Sequence, residues 1–300
     1  MMKTLLSLFE DSAALVDNPL RATDVDWRAL GVEHKYIIFL TGRCGSTWLT
    51  HLLADTGFLG KPDEFFNEEY IPFFSEKHSV STLRNYLSAI IAQFKGPSHF
   101  GFEIDPIRYS SLAKVTNFSE IFLKSQSTTF FMTRTDILSQ AYSFAAAKKT
   151  GQWHVFSNDA SAKKPADEDV TDRSLWVELF LILEQEFYMK EEFKRLNIKP
   201  IPITYEELLT DKFSVITTIM TALGVKSADI QDYLPKIKDK TRQMSHETKH
   251  RVLGEFLERN WRDFEAFLVS RHSPDIDALR AGLKEHQGID IGPFRRLRKD

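Results

Sequence analysis

One cysteine, Cys44, stands among 300 residues, so no disulfide can form within the chain. A chain so poor in cysteine fits the cytosol, and cytoplasmic localisation is expected. The His and Cys residues show no metal-ligand spacing, so no metal is expected. No apolar run approaches the ~18–20 residues needed to span a bilayer. Charge of one sign is not in excess. Lys and Arg number 39 against 42 Asp and Glu, a net charge of −3, and no basic field argues for nucleic acid. Internal repeats and low-complexity linkers are missing. The first sixteen residues, MMKTLLSLFEDSAALV, hold one lysine, are interrupted by Glu10 and Asp11, and lack a clean cleavage site. They are read as an amphipathic helix, not a signal peptide. What is present, 42% hydrophobic and 27% charged residues, is the composition of a soluble globular protein. The length suits one large α/β domain or two small ones. A single domain is expected over 1–300, with a helical lead-in at 1–34 and a helical C-terminal part at 236–300.

The most informative stretch runs from Tyr36 to Phe66. Tyr36 to Leu40 is a short β-branched and aromatic run, the signature of a buried strand. Thr41-Gly42-Arg43-Cys44-Gly45-Ser46-Thr47 follows, and Trp48 to Thr56 then reads as a helix. Strand, glycine-rich turn and helix together present backbone N–H groups and a helix N-terminus to an anion. The glycines allow close approach and positive φ. Ser46 and Thr47 can cap the helix and still offer hydroxyl donors. The turn lacks the lysine of a nucleoside-triphosphate P-loop: Ser46 stands where it belongs, and the cation is Arg43 instead. An anion other than a Mg²⁺-bound triphosphate therefore suits it better, and a small-molecule kinase using ATP and Mg²⁺ is the rival reading.

Further along, Val80 to Phe94 has helical periodicity, and His99 to Ile104 reads as an alternating strand ending at Asp105-Pro106. Residues 107–124 read as two short helices. Thr128 to Thr133 is a second buried strand, with Arg134 at its end and Asp136 opening a helix to about Thr150. In open α/β sheets ligands sit beyond the carboxyl ends of the strands, so Arg134 and the Arg43 turn are expected at one edge. A guanidinium grips tetrahedral oxyanions in a fork. Ser139 and Ser143, four apart on one helix, can add hydroxyls. The plainer role for Arg134 is a local pair with Asp136. The polar stretch 154–173 is expected to be a mobile loop. Helices are expected at 174–196, 213–223 and 251–268, and a strand at 200–205. The predicted class is α/β, a three-layer P-loop-like fold with a central, mainly parallel sheet flanked by helices.

The segments T-G-R-C-G-S-T-W-L and T-G-F-L-G-K-P-D-E-F-F resemble the bacterial trehalose sulfotransferase-like family. That family uses 3′-phosphoadenosine 5′-phosphosulfate (PAPS). Arg134 to Phe144, R-T-D-I-L-S-Q-A-Y-S-F, with Thr150 and Trp153 beyond, is a second match. The resemblance implies sulfuryl transfer from PAPS, with the bisphosphate PAP as product, to a hydroxyl of a carbohydrate or glycolipid. It implies that Gly42, Arg43, Cys44, Gly45, Ser46, Thr47 and Trp48 take the phosphosulfate, and that Arg134 with Ser139 or Ser143 takes the 3′-phosphate. Arg242 and Gln243 would close over the nucleotide. Glu64 would be the general base, with Asp63 as substitute, and Arg43 would stabilise the leaving group. Cys44 stands at a Ser-like position and is not read as a nucleophile. His51 and His99 are read as structural. Tyr205 belongs to a Y-E-E-L segment that is mainly structural in such enzymes. Glu103 departs from the pattern, which often has a basic residue there. Phe65, Phe66, Tyr70, Phe73 and Phe74 are open to three roles: stacking on a sugar, holding a lipid, or core. A homodimer is plausible by resemblance.

Overall fold

The structure is a computed structural model that describes residues 9, 25–116, 118–123, 127–153, 170–238 and 247–291. The helical lead-in over 1–24 (Phe9 apart), the loop at 154–169, Arg242 and Gln243, and the tail from 292 lie outside the described residues. The chain divides into two compact units. One comprises Met1–Leu40, Gly45–Thr133 and Phe193–Lys238; the other comprises Thr41–Cys44, Arg134–Glu192 and Asp239–Asp300.

The first unit holds a four-stranded sheet of β1 (His34–Leu40), β2 (His99–Ile104), β3 (Ser127–Thr133) and β4 (Ile201–Thr204). The strand order is β2-β1-β3-β4 and every pairing is parallel. The helices, in chain order, are α1 (Ser46–Asp55), α2 (Tyr70–His78), α3 (Leu83–Phe94), α4 (Pro106–Val115), α5 (Ile137–Thr150), α6 (Asp172–Arg195), α7 (Tyr205–Thr210), α8 (Lys212–Ala222), α9 (Ser227–Tyr233), α10 (Glu247–Ser270) and α11 (Ile276–Gln287). The α/β class with a central parallel sheet flanked by helices is thus as expected.

Parallel strands covered on both faces read as continuous apolar runs. All but the first residue of β1 is buried, and all six of β2 are, so the alternation read in β2 does not correspond to an exposed face. In register, Ile38 lies between Glu103 of β2 and Phe130 of β3. The core of this unit answers the question about the aromatic segment. Phe65 and Phe66 are fully buried, packing on Phe100 and Phe102 with ring centroids 5.9 and 5.1 Å apart. They are core, while Phe73 is exposed. Beyond them α2 begins at Tyr70, turning Ile71 and Phe74 inward. Pro72 falls in its first turn, where the missing N–H costs nothing.

Caps start the helices that matter for the site. Asp105 accepts from the N–H groups of Ile107 (2.8 Å) and Arg108 (2.9 Å), with Pro106 in the first turn of α4. Asp136 accepts from the Ser139 N–H at 2.9 Å to start α5. In the second unit, α5, α6, α10 and α11 enclose a core that includes Trp176, Phe180, Phe256, Phe264 and Phe267. No helix among the described residues is long and apolar enough to cross a membrane.

Candidate functional site

The turn between β1 and α1 takes positive φ at Arg43 (65°) and Gly45 (92°). Gly42 does not need a left-handed backbone. Its missing Cβ would lie 2.5 Å from the Phe144 ring. At Gly45 an added Cβ would lie 2.4 Å from the Tyr205 ring. Ring packing as well as backbone freedom therefore demands these glycines. The expected capping by Ser46 or Thr47 is not what forms. Gly45 is the N-cap and makes no side-chain cap, and α1 starts at Ser46, two residues before the sequence suggested. The Ser46 hydroxyl is hydrogen-bonded to Glu103 instead. Trp48 meets Tyr205 edge-on at 6.2 Å, so the Y-E-E-L tyrosine supports the start of α1. Cys44 is fully buried, as suits a packing residue.

In the second unit α5 holds the other part of the turn. Gln140 is fully buried, and its Nε2 donates to Thr41 Oγ1 at 2.9 Å and to the Gly42 carbonyl at 2.8 Å. Arg43 Nε donates to Ser143 Oγ at 3.0 Å, and its Nη1 donates to the Trp153 carbonyl. Ser143, expected beside Arg134 as one of two choices, is thus the hydroxyl of Arg43. Ser139 is buried, with its N–H on the cap. Arg134 is buried and close to Arg43. Burial chiefly lowers the Arg43 pKa, the Cys44 charge opposes this, and the like charge of Arg134 lowers it further. Lys249 on α10 is also lowered by burial and by Arg134, with Asp136 opposing. Arg134 therefore shares its neighbourhood with both Arg43 and Lys249. Crowded like charges favour an anion among them. Gln140 was quoted in the sequence motif without a role; its signal was a long amide amid the small residues of α5. Lys249 lies in the basic stretch 236–250, KIKDKTRQMSHETKH, whose composition is its only signal.

The first unit builds a carboxyl cluster. Gly60 (φ 82°) passes so close to α3 that an added Cβ would lie 2.6 Å from the Phe94 carbonyl. The Lys61 N–H donates to that carbonyl at 2.8 Å, and the Glu103 N–H donates to the Asp63 carbonyl at 3.1 Å. The segment carrying Glu64 is thereby tied to α3 and to β2. Asn67 Nδ2 donates to Glu64 Oε2 at 2.9 Å, and Arg108 Nη1 lies 3.7 Å from the same oxygen. Arg108 also pairs with Asp105 and with Glu68. Burial pushes the Glu64 carboxyl above its ordinary value; Arg108 and Asn67 pull it back, while Asp105 and Asp63 push it up again.

Glu103, the departure from the pattern, is inside this cluster. It is buried at 3% exposure, and its Oε2 has no hydrogen-bond partner among the described residues. Burial first, then the charges of Glu64 and Asp63, push it well above the usual carboxylate range, against the Ser46 hydrogen bond. Neighbouring carboxyls resist joint ionisation, and the deeper one keeps the proton. Glu103 thus bonds to Ser46, at the N-terminus of α1, and feels the charge of Glu64. His99 is structural: its ring bonds to the Leu223 carbonyl at 3.2 Å and stacks on His34.

A family model described as Stf0 sulphotransferase matches residues 35–94 and 109–253. The matched stretches contain the turn, Glu64, Arg134 and Lys249; they omit Glu103, Asp105 and Arg108. Among solved structures, a sulfotransferase from Alicyclobacillus acidocaldarius is similar at 17% identity, over 83% of this chain and 99% of that one, with a TM-score of 0.43. The search of curated proteins returned no match.

Proposed function

Because the chain belongs to the Stf0 sulphotransferase family, we propose that this sulfotransferase uses PAPS as donor and a hydroxyl of a carbohydrate or glycolipid as acceptor. The observation that carries the reading is Glu64: a carboxyl held by Asn67 and Arg108, with its pKa raised by burial. The residues present suit the donor. Gly42 to Trp48 offer a helix N-terminus, hydroxyls and Arg43 to the phosphosulfate. Arg134, with Lys249 beside it, suits the 3′-phosphate; Ser139 would add its hydroxyl, and Arg242 and Gln243 would cover the nucleotide. The donor supplies an activated sulfuryl group, and no metal is needed for its transfer. Sulphur bonds to the acceptor oxygen as its bond to the phosphate oxygen breaks. The acceptor proton passes to Glu64, and Arg43 balances negative charge on the departing phosphate. Positioning and electrostatics do most of the work, as in phosphoryl transfer.

The test is release of PAP from PAPS in the presence of sugars and glycolipids. Glu64→Gln should lower turnover by about 10²–10⁴-fold, the usual contribution of a positioned base, while PAP still binds. Undiminished turnover would remove Glu64 from the mechanism.

A further inference from the structure

The side chain that holds the Arg134 junction lies far away in sequence, beyond the family-matched stretches. Arg271 follows α10, and its guanidinium is mostly buried, with 15% of the side chain exposed. Nε donates to Glu186 Oε2 at 3.1 Å and Nη2 to Glu186 Oε1 at 2.6 Å, a two-pronged pair with a carboxylate on α6 that is itself 3% exposed. The other edge of the same plane faces backbone. Nη2 also donates to the Arg134 carbonyl at 2.7 Å, and Nη1 donates to the Thr135 carbonyl at 2.9 Å. The Thr135 carbonyl accepts the Ile137 N–H as well. Only three residues, 134–136, join β3 to α5, and one guanidinium grips two of their carbonyls.

We infer that Arg271, oriented by Glu186, is a positioning residue for the donor: it fixes the backbone from which Arg134 reaches the 3′-phosphate. The inference rests on the PAPS reading above. A planar, five-donor guanidinium is required, because it must meet a carboxylate and two carbonyls at once. An ammonium presents a point charge and cannot span both edges. The carboxylate of Glu186 keeps the plane from rotating. Arg271 itself touches no substrate in this account. It acts through Arg134, whose side chain springs from the backbone that Arg271 holds.

The decisive comparison is PAP against 5′-AMP, which lacks the 3′-phosphate. Affinities are measured by calorimetry on the full chain, well below each variant's melting temperature. Arg271→Ala should weaken PAP by about 10–100-fold, by analogy with the loss of a group that orients a metal ligand, and leave 5′-AMP within about twofold. Arg271→Lys should behave like Arg271→Ala, and millimolar guanidinium should restore PAP binding to Arg271→Ala. Glu186→Gln, which keeps the arginine in place, should weaken PAP a few-fold and spare 5′-AMP; it serves where the alanine variant does not fold. Unchanged PAP affinity overturns the inference, and so does an equal loss for both nucleotides, since a merely structural prop would weaken them alike. A wild-type chain that does not prefer PAP to 5′-AMP overturns the donor reading first, and this inference with it.

Discussion

A carboxyl group that must accept a proton works best when its own pKa is drawn up towards the working pH. Glu64 meets that condition through burial and through Asp105 and Asp63, with Arg108 limiting the rise. Activity that depends on ionised Glu64 falls as pH drops through this raised value. The acid limb of kcat/KM should therefore have its midpoint above 4.5, the ordinary glutamate value; a midpoint at or below 4.5 would contradict the assignment. Glu103 bears instead on stability. Its folded-state pKa is raised, so the native state binds more protons than the unfolded state between the two values, and stability falls as pH rises through that window. Glu103→Gln removes the titration and keeps the shape of the protonated acid. Its melting temperature should exceed that of the wild type at pH 8 by at least about 2 °C, the effect of roughly 1 kcal/mol at this size. The gain should disappear near pH 4, and a loss at pH 8 would show that Glu103 works ionised. Glu64 was legible in the sequence only because its surrounding motif resembles a family. Nothing local marks Glu103 as its neighbour, since the approach of β2 to the Asp63 segment is a tertiary fact.

The turn between β1 and α1 depends on a neighbouring helix and on ring packing more than on its own caps. In Gln140→Ala two hydrogen bonds from a buried amide vanish, leaving a hydroxyl and a carbonyl unpaired at a cost of about 1–3 kcal/mol. The melt should fall accordingly, and PAP affinity with it. Gln140→Glu should be worse, since a carboxylate cannot donate to the Gly42 carbonyl. Gly45→Ala combines a left-handed backbone with a collision on Tyr205 and should cost about 2 kcal/mol or more. Retention of the wild-type melt in Gly45→Ala would show that the ring yields freely. The existence of β1, β3, α3, α5 and α6 could be read from their apolar runs and periodicity. The start of α1 could not, because glycine in a left-handed conformation replaced the hydroxyl cap that the sequence advertises. The short helices α2 and α9 were not legible: they turn only Ile71 and Phe74, and Ile230, fully inward, too few for periodicity to show.

At the scale of the whole molecule, net charge says little about the site. The chain carries a charge of −3, yet Arg134 is crowded by Arg43 on the turn and Lys249 on α10. The parallel sheet was legible because strands buried on both faces leave continuous apolar runs. The pairing of Arg271 with Glu186 was not, since the two are 85 positions apart and only the packing of the second unit joins them. The cation cluster makes the central claim testable without knowledge of the acceptor. The measurement is the melting temperature with PAP, 5′-AMP or ATP-Mg²⁺ in parallel, on the wild type and on Arg134→Ala. A ligand at ~100 times its Kd adds roughly 2.7 kcal/mol when it binds only the native state. PAP should raise the melting temperature most, and Arg134→Ala should abolish its advantage over 5′-AMP. Stabilisation by ATP-Mg²⁺ and not by PAP would contradict the account.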